Sequence, residues 1–122
     1  MNEKTILVVE DEPALLEAVT FKLKQQGVHV LAASTGEDAL AILENAKPSL
    51  IWLDILLPGI NGLDVLNHVR SKKELADIPV VIVSVSAGPE KIKEAFSRDV
   101  TDYIVKSEYS IDEIVHRVSA LL

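Results

Sequence analysis

Short apolar runs alternate along the chain with stretches whose apolar residues recur at helical spacing. The runs are Thr5–Val9, Val28–Ala33, Leu50–Leu53, Val80–Val83 and Tyr103–Val105. They are rich in Val and Ile, and several are apolar at consecutive positions, as strands buried between two helical layers must be. The intervening stretches predict five amphipathic helices. Pro13–Gln26 presents Leu15, Leu16, Val19 and Leu23 on one face, opens with Pro after two acids and stops at Gly27, as helix ends prefer. A Thr35-x-x-Asp38 start signal precedes Glu37–Ala46, with Ala39, Leu40, Ile42 and Leu43 inward. Leu63–Arg70 offers Leu63, Leu66 and Val69. Glu90–Phe96 is the weakest, with only Ile92, Ala95 and Phe96 as an apolar stripe. A Ser110-x-x-Glu113 capping box opens Ser110–Leu122, where Ile111, Ile114, Val115 and Val118 share a face.

Strand–helix units in strict alternation imply a parallel sheet covered by helices on both faces. Right-handed crossovers bring the carboxyl ends of all strands to one edge, where ligands of such sheets bind. A length of 122 residues fits a single domain, 1–122, and 48% hydrophobic residues fill its core without metal or disulfide support. With no cysteine, thiolate metal sites and a cysteine nucleophile are excluded. The net charge of −7 repels phosphate backbones and anionic lipid, which argues against direct binding to nucleic acid or membrane. No apolar run approaches a membrane span, and Met1–Thr5 carries no export signal, so a cytoplasmic location is expected.

The polar residues where the runs stop carry the chemistry. The first run ends in Glu10 and Asp11, the third in Asp54, the fourth in Ser84 and the fifth in Lys106. Each alone reads as a helix cap or a surface charge; their convergence on one edge does not. Clustered carboxylates repel unless a cation intervenes, and an all-oxygen acidic site suits Mg²⁺. A hydroxyl and an ammonium beside them suit an anion, and together the groups fit phosphoryl transfer to a carboxylate. His29, His68 and His116 share no metal-ligand spacing, and Trp52 reads as core. No GxxxxGK[ST], GxGxxG or Asp-x-Asp element is present, and the acidic Asp11-Glu12-Pro13 would repel a flavin phosphate. A phosphatase or nucleotide-binding enzyme is therefore disfavoured.

The ordered set resembles the receiver domain of two-component response regulators over nearly the whole chain. The residues that carry the resemblance are Glu10-Asp11, the Asp54–Gly62 segment with Leu57, Pro58, Gly59 and Asn61, the Pro79–Ser84 segment, and Asp102–Lys106. It implies an α/β, doubly wound, five-stranded parallel sheet flanked by five helices, in the flavodoxin-like order 2-1-3-4-5. It implies Asp54 as phosphoacceptor in an acidic pocket with Glu10 and Asp11. Mg²⁺ would be held by Asp11, Asp54 and the Leu56 backbone carbonyl, with Glu10 acting through water. Lys106 would contact the phosphoryl group, and Ser84 and Tyr103 would form a switch pair. A histidine kinase or phosphotransfer protein would be the donor, and a downstream protein or a fused output domain the recipient of the signal. Such a chain is a signalling phosphoacceptor rather than an enzyme, catalysing only its own phosphotransfer and dephosphorylation. Whether it stands alone or belongs to a longer regulator is left open, as is a phosphorylation-dependent dimer.

Four positions depart from the family pattern, the mildest being Leu57 in place of the common Met, a near-neutral volume swap. Ser107 follows Lys106 where receivers usually have Pro preceded by a cis bond. A cis bond before a non-proline residue costs about 2.5–4 kcal/mol, so a trans peptide and a reshaped loop are alternatives to the family geometry. Ser84 replaces the commoner Thr. Val85 replaces a small residue, and its branched side chain is expected to narrow access to the phosphoryl group. These departures keep a second reading open, a phosphorylation-independent docking module with a degenerate receiver site.

Overall fold

A computed structural model describes residues 4–85 and 88–122; the Met1–Glu3 start, read above for an export signal, lies outside them. Strands β1 (Thr5–Val9), β2 (His29–Ala33), β3 (Leu50–Leu53), β4 (Val80–Ser84) and β5 (Asp102–Val105) alternate with helices α1 (Pro13–Gln25), α2 (Gly36–Leu43), α3 (Gly62–Ser71), α4 (Pro89–Phe96) and α5 (Ile111–Ser119). All strand pairs are parallel, and the order across the sheet is β2-β1-β3-β4-β5. Element, type and order follow the reading from sequence, with boundaries shifted by a few residues.

Strand residues divide by parity between two cores, which is why the central runs are apolar at consecutive positions. Leu7, Val9, Ile51, Leu53, Val80 and Ile82 pack with Ala39, Leu43, Val65, Leu66, Val69 and Ala95, on the side of α2, α3 and α4. Ile6, Val8, Leu50, Trp52, Val81 and Val83 pack with Val19, Leu23, Ile114, Val115 and Val118, on the side of α1 and α5. Central β1, β3 and β4 are therefore closed to solvent on both faces, whereas β2 and β5 are edges and partly exposed. Trp52, 1% exposed, is a core residue as read.

Local chemistry sets the helix ends. Thr35 Oγ1 accepts from the Asp38 N–H at 3.0 Å, and the Ser110/Glu113 pair forms a reciprocal capping box. Asn61 and Asp64 form another at the start of α3, a signal not drawn from the sequence. Pro13 occupies the first turn of α1, and Gly27 ends it with φ +81, a conformation glycine adopts without steric penalty. One expectation fails: Phe96 does not join the apolar stripe of α4 but is 47% exposed. Only Ala95 of this helix is fully buried, because the eight-residue helix covers an edge of the sheet with a single short face.

Arg70, in the last turn of α3, closes this side of the domain. Its guanidinium donates to the carbonyls of Arg98 (2.9 Å), Ala76 (3.0 Å), Ile78 (2.8 Å) and Asp99 (2.9 Å). These belong to the α3–β4 and α4–β5 connections, and Asp99 itself sits at φ +58. Hydrogen bonds from a charged donor each contribute about 1.5–3 kcal/mol, and orphaned carbonyls are costly. Arg70→Met should lower the urea-unfolding free energy by about 2–4 kcal/mol. A loss below about 0.5 kcal/mol would mean that water takes over all four carbonyls.

Candidate functional site

Strand order decides which polar residues meet. The chain leaves β1 toward β2 on one side and continues from β3 toward β4 and β5 on the other, so β1 and β3 flank the crevice where connections diverge. Val9 and Leu53 are register partners at the last position of these strands. The next residues are Glu10 and Asp54, anchored by Glu10 N–H to Ala33 O (3.0 Å) and Asp54 N–H to Val9 O (3.1 Å). Their carboxylates thus stand side by side, with Glu10 fully buried and Asp54 3% exposed. Asp11, one residue further along, is exposed at the surface. Carboxylate oxygens of Glu10, Asp11 and Asp54 all lie within 4.8 Å of one another.

Lys106 follows β5 and reaches this pair. Its Nζ donates to Asp54 Oδ2 at 2.8 Å and lies 2.6 Å from Glu10 Oε1, an ion pair outside hydrogen-bond alignment. The remaining oxygens face backbone donors: Asp54 Oδ1 accepts from the Leu56 N–H (2.9 Å), and Glu10 Oε2 from the Glu12 N–H (3.3 Å). Burial raises the Glu10 carboxyl above its ordinary value; Lys106 opposes this and the Asp54 charge adds to it. Burial also works against the Lys106 ammonium, but pairing with Asp54 and Glu10 outweighs it and holds the group above the usual lysine range.

Ser84 ends β4 fully buried. Across β4 and β5 it is the register partner of Val105, the residue before Lys106. Tyr103 packs half-buried against the α2–α4 core, and burial together with the Asp54 charge raises its phenol. Residues 106–108 form a 3₁₀ turn, and no cis peptide occurs among the described residues. The Lys106–Ser107 bond is therefore trans, one of the alternatives the sequence allowed. Lys106 meets Asp54 and Glu10 from this loop. Val85 is 61% exposed just beyond β4, and none of the three histidines joins an acidic cluster among the described residues.

Two features were not read from the sequence. The first is the Leu56 N–H: an Asp accepting from the backbone two residues on is an Asx turn, and the Asp54-x-Leu56 spacing carries that signal. The second is Gly62, where an added Cβ would collide with the Asp54 carbonyl and the Ile55 Cα. Only a residue without a side chain lets α3 start against the backbone of Asp54.

The donor set fits Mg²⁺. Three carboxylates within reach of one point form a hard, all-oxygen site with no sulfur or imidazole, which selects Mg²⁺ over softer transition metals.

Fold and site together define a receiver. The sequence matches the response regulator receiver domain over residues 6–119, and the chain belongs to that family. It is 36% identical over 118 residues to the probable transcriptional regulatory protein TcrX of Mycobacterium tuberculosis, covering 97% of this chain and 49% of that protein. It is 34% identical over 119 residues to the phosphate regulon transcriptional regulatory protein PhoB of Escherichia coli, covering 98% and 52%. The chain thus spans about half the length of the curated relatives it matches. Among solved structures, the response regulator TrrA of Thermotoga maritima in complex with Mg²⁺-BeF superposes with TM-score 0.82 at 33% identity, covering 98% and 99%. The phosphorylated cyanobacterial phytochrome response regulator RcpA superposes with TM-score 0.86 at 29% identity, covering 98% and 91%.

Lys106 carries a testable electrostatic consequence. A carboxyl whose folded pKa is raised binds its proton more tightly in the native state. Its contribution to stability therefore falls as pH rises from about 4.5 through the folded value. In Lys106→Met both influences that lower the Glu10 pKa through Lys106 are gone, and the loss deepens. Without Mg²⁺, the variant should be about 3 kcal/mol less stable than wild type near pH 7, with the gap narrowing near pH 5. Urea titrations at the two pH values check this; a gap independent of pH would show that Lys106 acts through packing alone.

Proposed function

We propose that the chain is the phosphoacceptor receiver of a two-component phosphorelay and that Asp54 takes the phosphoryl group. The observation that supports this most is the setting of Asp54. It is a nearly buried carboxylate at the β1/β3 crevice, bonded by Lys106 and the Leu56 N–H and flanked by Glu10 and Asp11. A nucleophile held by two donors at a fixed strand end is oriented without entropic cost at the moment of reaction.

In this reading an Asp54 carboxylate oxygen attacks phosphorus as the bond from phosphorus to the donor nitrogen or oxygen breaks. The leaving atom keeps the electron pair. Asp11, Asp54 and the Leu56 carbonyl, with Glu10 acting through water, would hold Mg²⁺, whose charge would offset that of the phosphoryl oxygens. Lys106 provides the second positive charge. Because its ammonium is held charged by Asp54 and Glu10, it is available to the incoming phosphoryl group across the whole physiological pH range. The Ser84 hydroxyl provides a neutral donor from the neighbouring strand end, and a shift of Ser84 leads to reorientation of the Tyr103 ring. The added group brings about −1.5 to −2 charges, and a differential of a few kcal/mol between two arrangements suffices to exchange their populations.

The donor is a histidine kinase or a phosphotransfer protein. Relatives such as TcrX and PhoB are named transcriptional regulators and are about twice as long as this chain. The output we propose is accordingly a DNA-binding partner, fused or separate, while the acidic receiver itself does not touch nucleic acid. A cytoplasmic setting is part of this proposal; among the described residues no helix is long and apolar enough to cross a membrane.

Intact mass after incubation with Mg²⁺ and acetyl phosphate should show one phosphoryl group on wild type and none on Asp54→Asn. Unmodified wild type that also fails to bind Mg²⁺ would overturn the phosphoacceptor reading in favour of the docking module, whereas unmodified wild type that still binds Mg²⁺ would point to Val85 or the Lys106–Ser107 loop. Val85, exposed beside the end of β4, offers a second check. Val85→Ala should speed phosphorylation, hydrolysis of the acyl phosphate, or both, and unchanged rates of the two would remove Val85 as a restriction on access.

A further inference from the structure

On the opposite side of the sheet from Tyr103 lies a cavity of about 290 Å³. Leu15 of α1, Trp52 of β3, Val83 of β4 and Ile111 and Ile114 of α5 line it, with Tyr109 beside them. It opens where the carboxyl ends of β3 and β4 meet the first turns of α1 and α5. Its volume is near the lower bound of small-molecule sites, and its walls are apolar in the way such sites are. Glu12, Lys106 and Ser107 also line it; the opposite charges of Glu12 and Lys106 favour a neutral occupant over an ion of either sign.

Two further observations bear on what the cavity takes. Trp52 is 1% exposed, and among the described residues its indole N–H has no hydrogen-bond partner. A buried donor without an acceptor is a standing energetic cost that an acceptor brought by a ligand removes. The wall formed by Tyr109 is fixed in advance. Arg117 lies 5.3 Å from the centre of the Tyr109 ring, and the same guanidinium grips Asp102 of β5 through Nε (2.8 Å) and Nη2 (3.0 Å). A preformed wall lowers the ordering cost of binding.

We propose that this cavity is a binding site for a small, neutral, mainly apolar molecule carrying one carbonyl-type acceptor, which pairs with the Trp52 N–H. The N–H is closed to water-sized molecules in this conformation, so pairing requires the indole to turn toward the cavity, and the unmet hydrogen bond favours that turn. The site is separate from the carboxylate cluster and stands whether or not Asp54 accepts phosphate. One wall is nevertheless Lys106, whose ammonium meets Asp54 and Glu10, so an occupant lies against the residue that neutralises them.

The test uses acetophenone, with ethylbenzene as its near-isosteric match lacking the acceptor, followed by ¹H–¹⁵N spectra of the whole chain. Trp52 is the one tryptophan, so its indole resonance is unambiguous. Expected are saturable binding of acetophenone, a moved indole resonance, and affinity at least about tenfold above that of ethylbenzene, as one added hydrogen bond provides. Leu15→Phe and Ser107→Leu fill the cavity from two sides, and whichever of them folds should lose the binding. Equal affinity for the two compounds, no saturable binding, or undiminished binding in a folded cavity-filling variant would each overturn the proposal.

Discussion

The Lys106 ammonium, 2.8 Å from Asp54 and 2.6 Å from Glu10, is the interaction on which the functional edge depends. Two carboxyl groups nearly closed to solvent stand at adjacent strand ends, and neither can be moved apart without breaking the β1–β3 register. Their mutual repulsion and lost hydration are met by one cation delivered from β5, two strands beyond β3. Strands are about 4.8 Å apart, so only a long side chain bridges that span. The last residue of the intervening β4 is Ser84, among the smallest side chains. The sheet order thus serves the electrostatics as well as the packing, since it sets the Lys106 stem within reach of both acids.

Holding such a cluster takes a scaffold that does not yield. The central strands are closed on both faces, so a shift of one strand end would open cavities in two cores at once. The loops above the sheet are tied down in different ways. Asp54 and Glu10 bond backbone N–H groups two residues ahead, Gly62 lets α3 press against the Asp54 backbone, and Arg70 gathers four carbonyls beneath α4. Among the helices α1–α5, α4 has the fewest fully buried residues, Ala95 alone, and it leaves Phe96 exposed. Order is concentrated on the β1–β3 side and slackens toward α4, next to Ser84 and Tyr103. A charge change at Asp54 therefore meets the least resistance in that direction.

The fold was legible because parity and helical periodicity are set by burial, and burial here is nearly complete in the strands. The site was legible because its charges sit where apolar runs stop, and a stop is visible in sequence. What escaped has no such signature. Arg70 is one arginine at a helix end, indistinguishable in sequence from a solvated one until its carbonyl partners are in place. Phe96 reads as core by spacing, yet α4 is too short and too close to the sheet edge to bury it. The unmet Trp52 N–H is likewise invisible, since a tryptophan in a strand reads as packing whether or not its nitrogen finds an acceptor. Backbone groups such as the Leu56 N–H carry no residue identity, and only the Asp-x-x spacing hints at them.

The loop after β5 shows how far a departure from the family pattern reaches. Ser107 leaves a trans peptide and a 3₁₀ turn over residues 106–108, yet the Lys106 ammonium still meets both acids. The long, rotatable stem lets the cation's position be set by its anionic partners as well as by the loop that carries it. Charge balance explains why those partners prevail. Three carboxylates and one ammonium leave a formal excess of two negative charges at the crevice, which a single divalent cation cancels. One ammonium is the number that leaves the site able to take both a divalent cation and, after it, an anionic phosphoryl group.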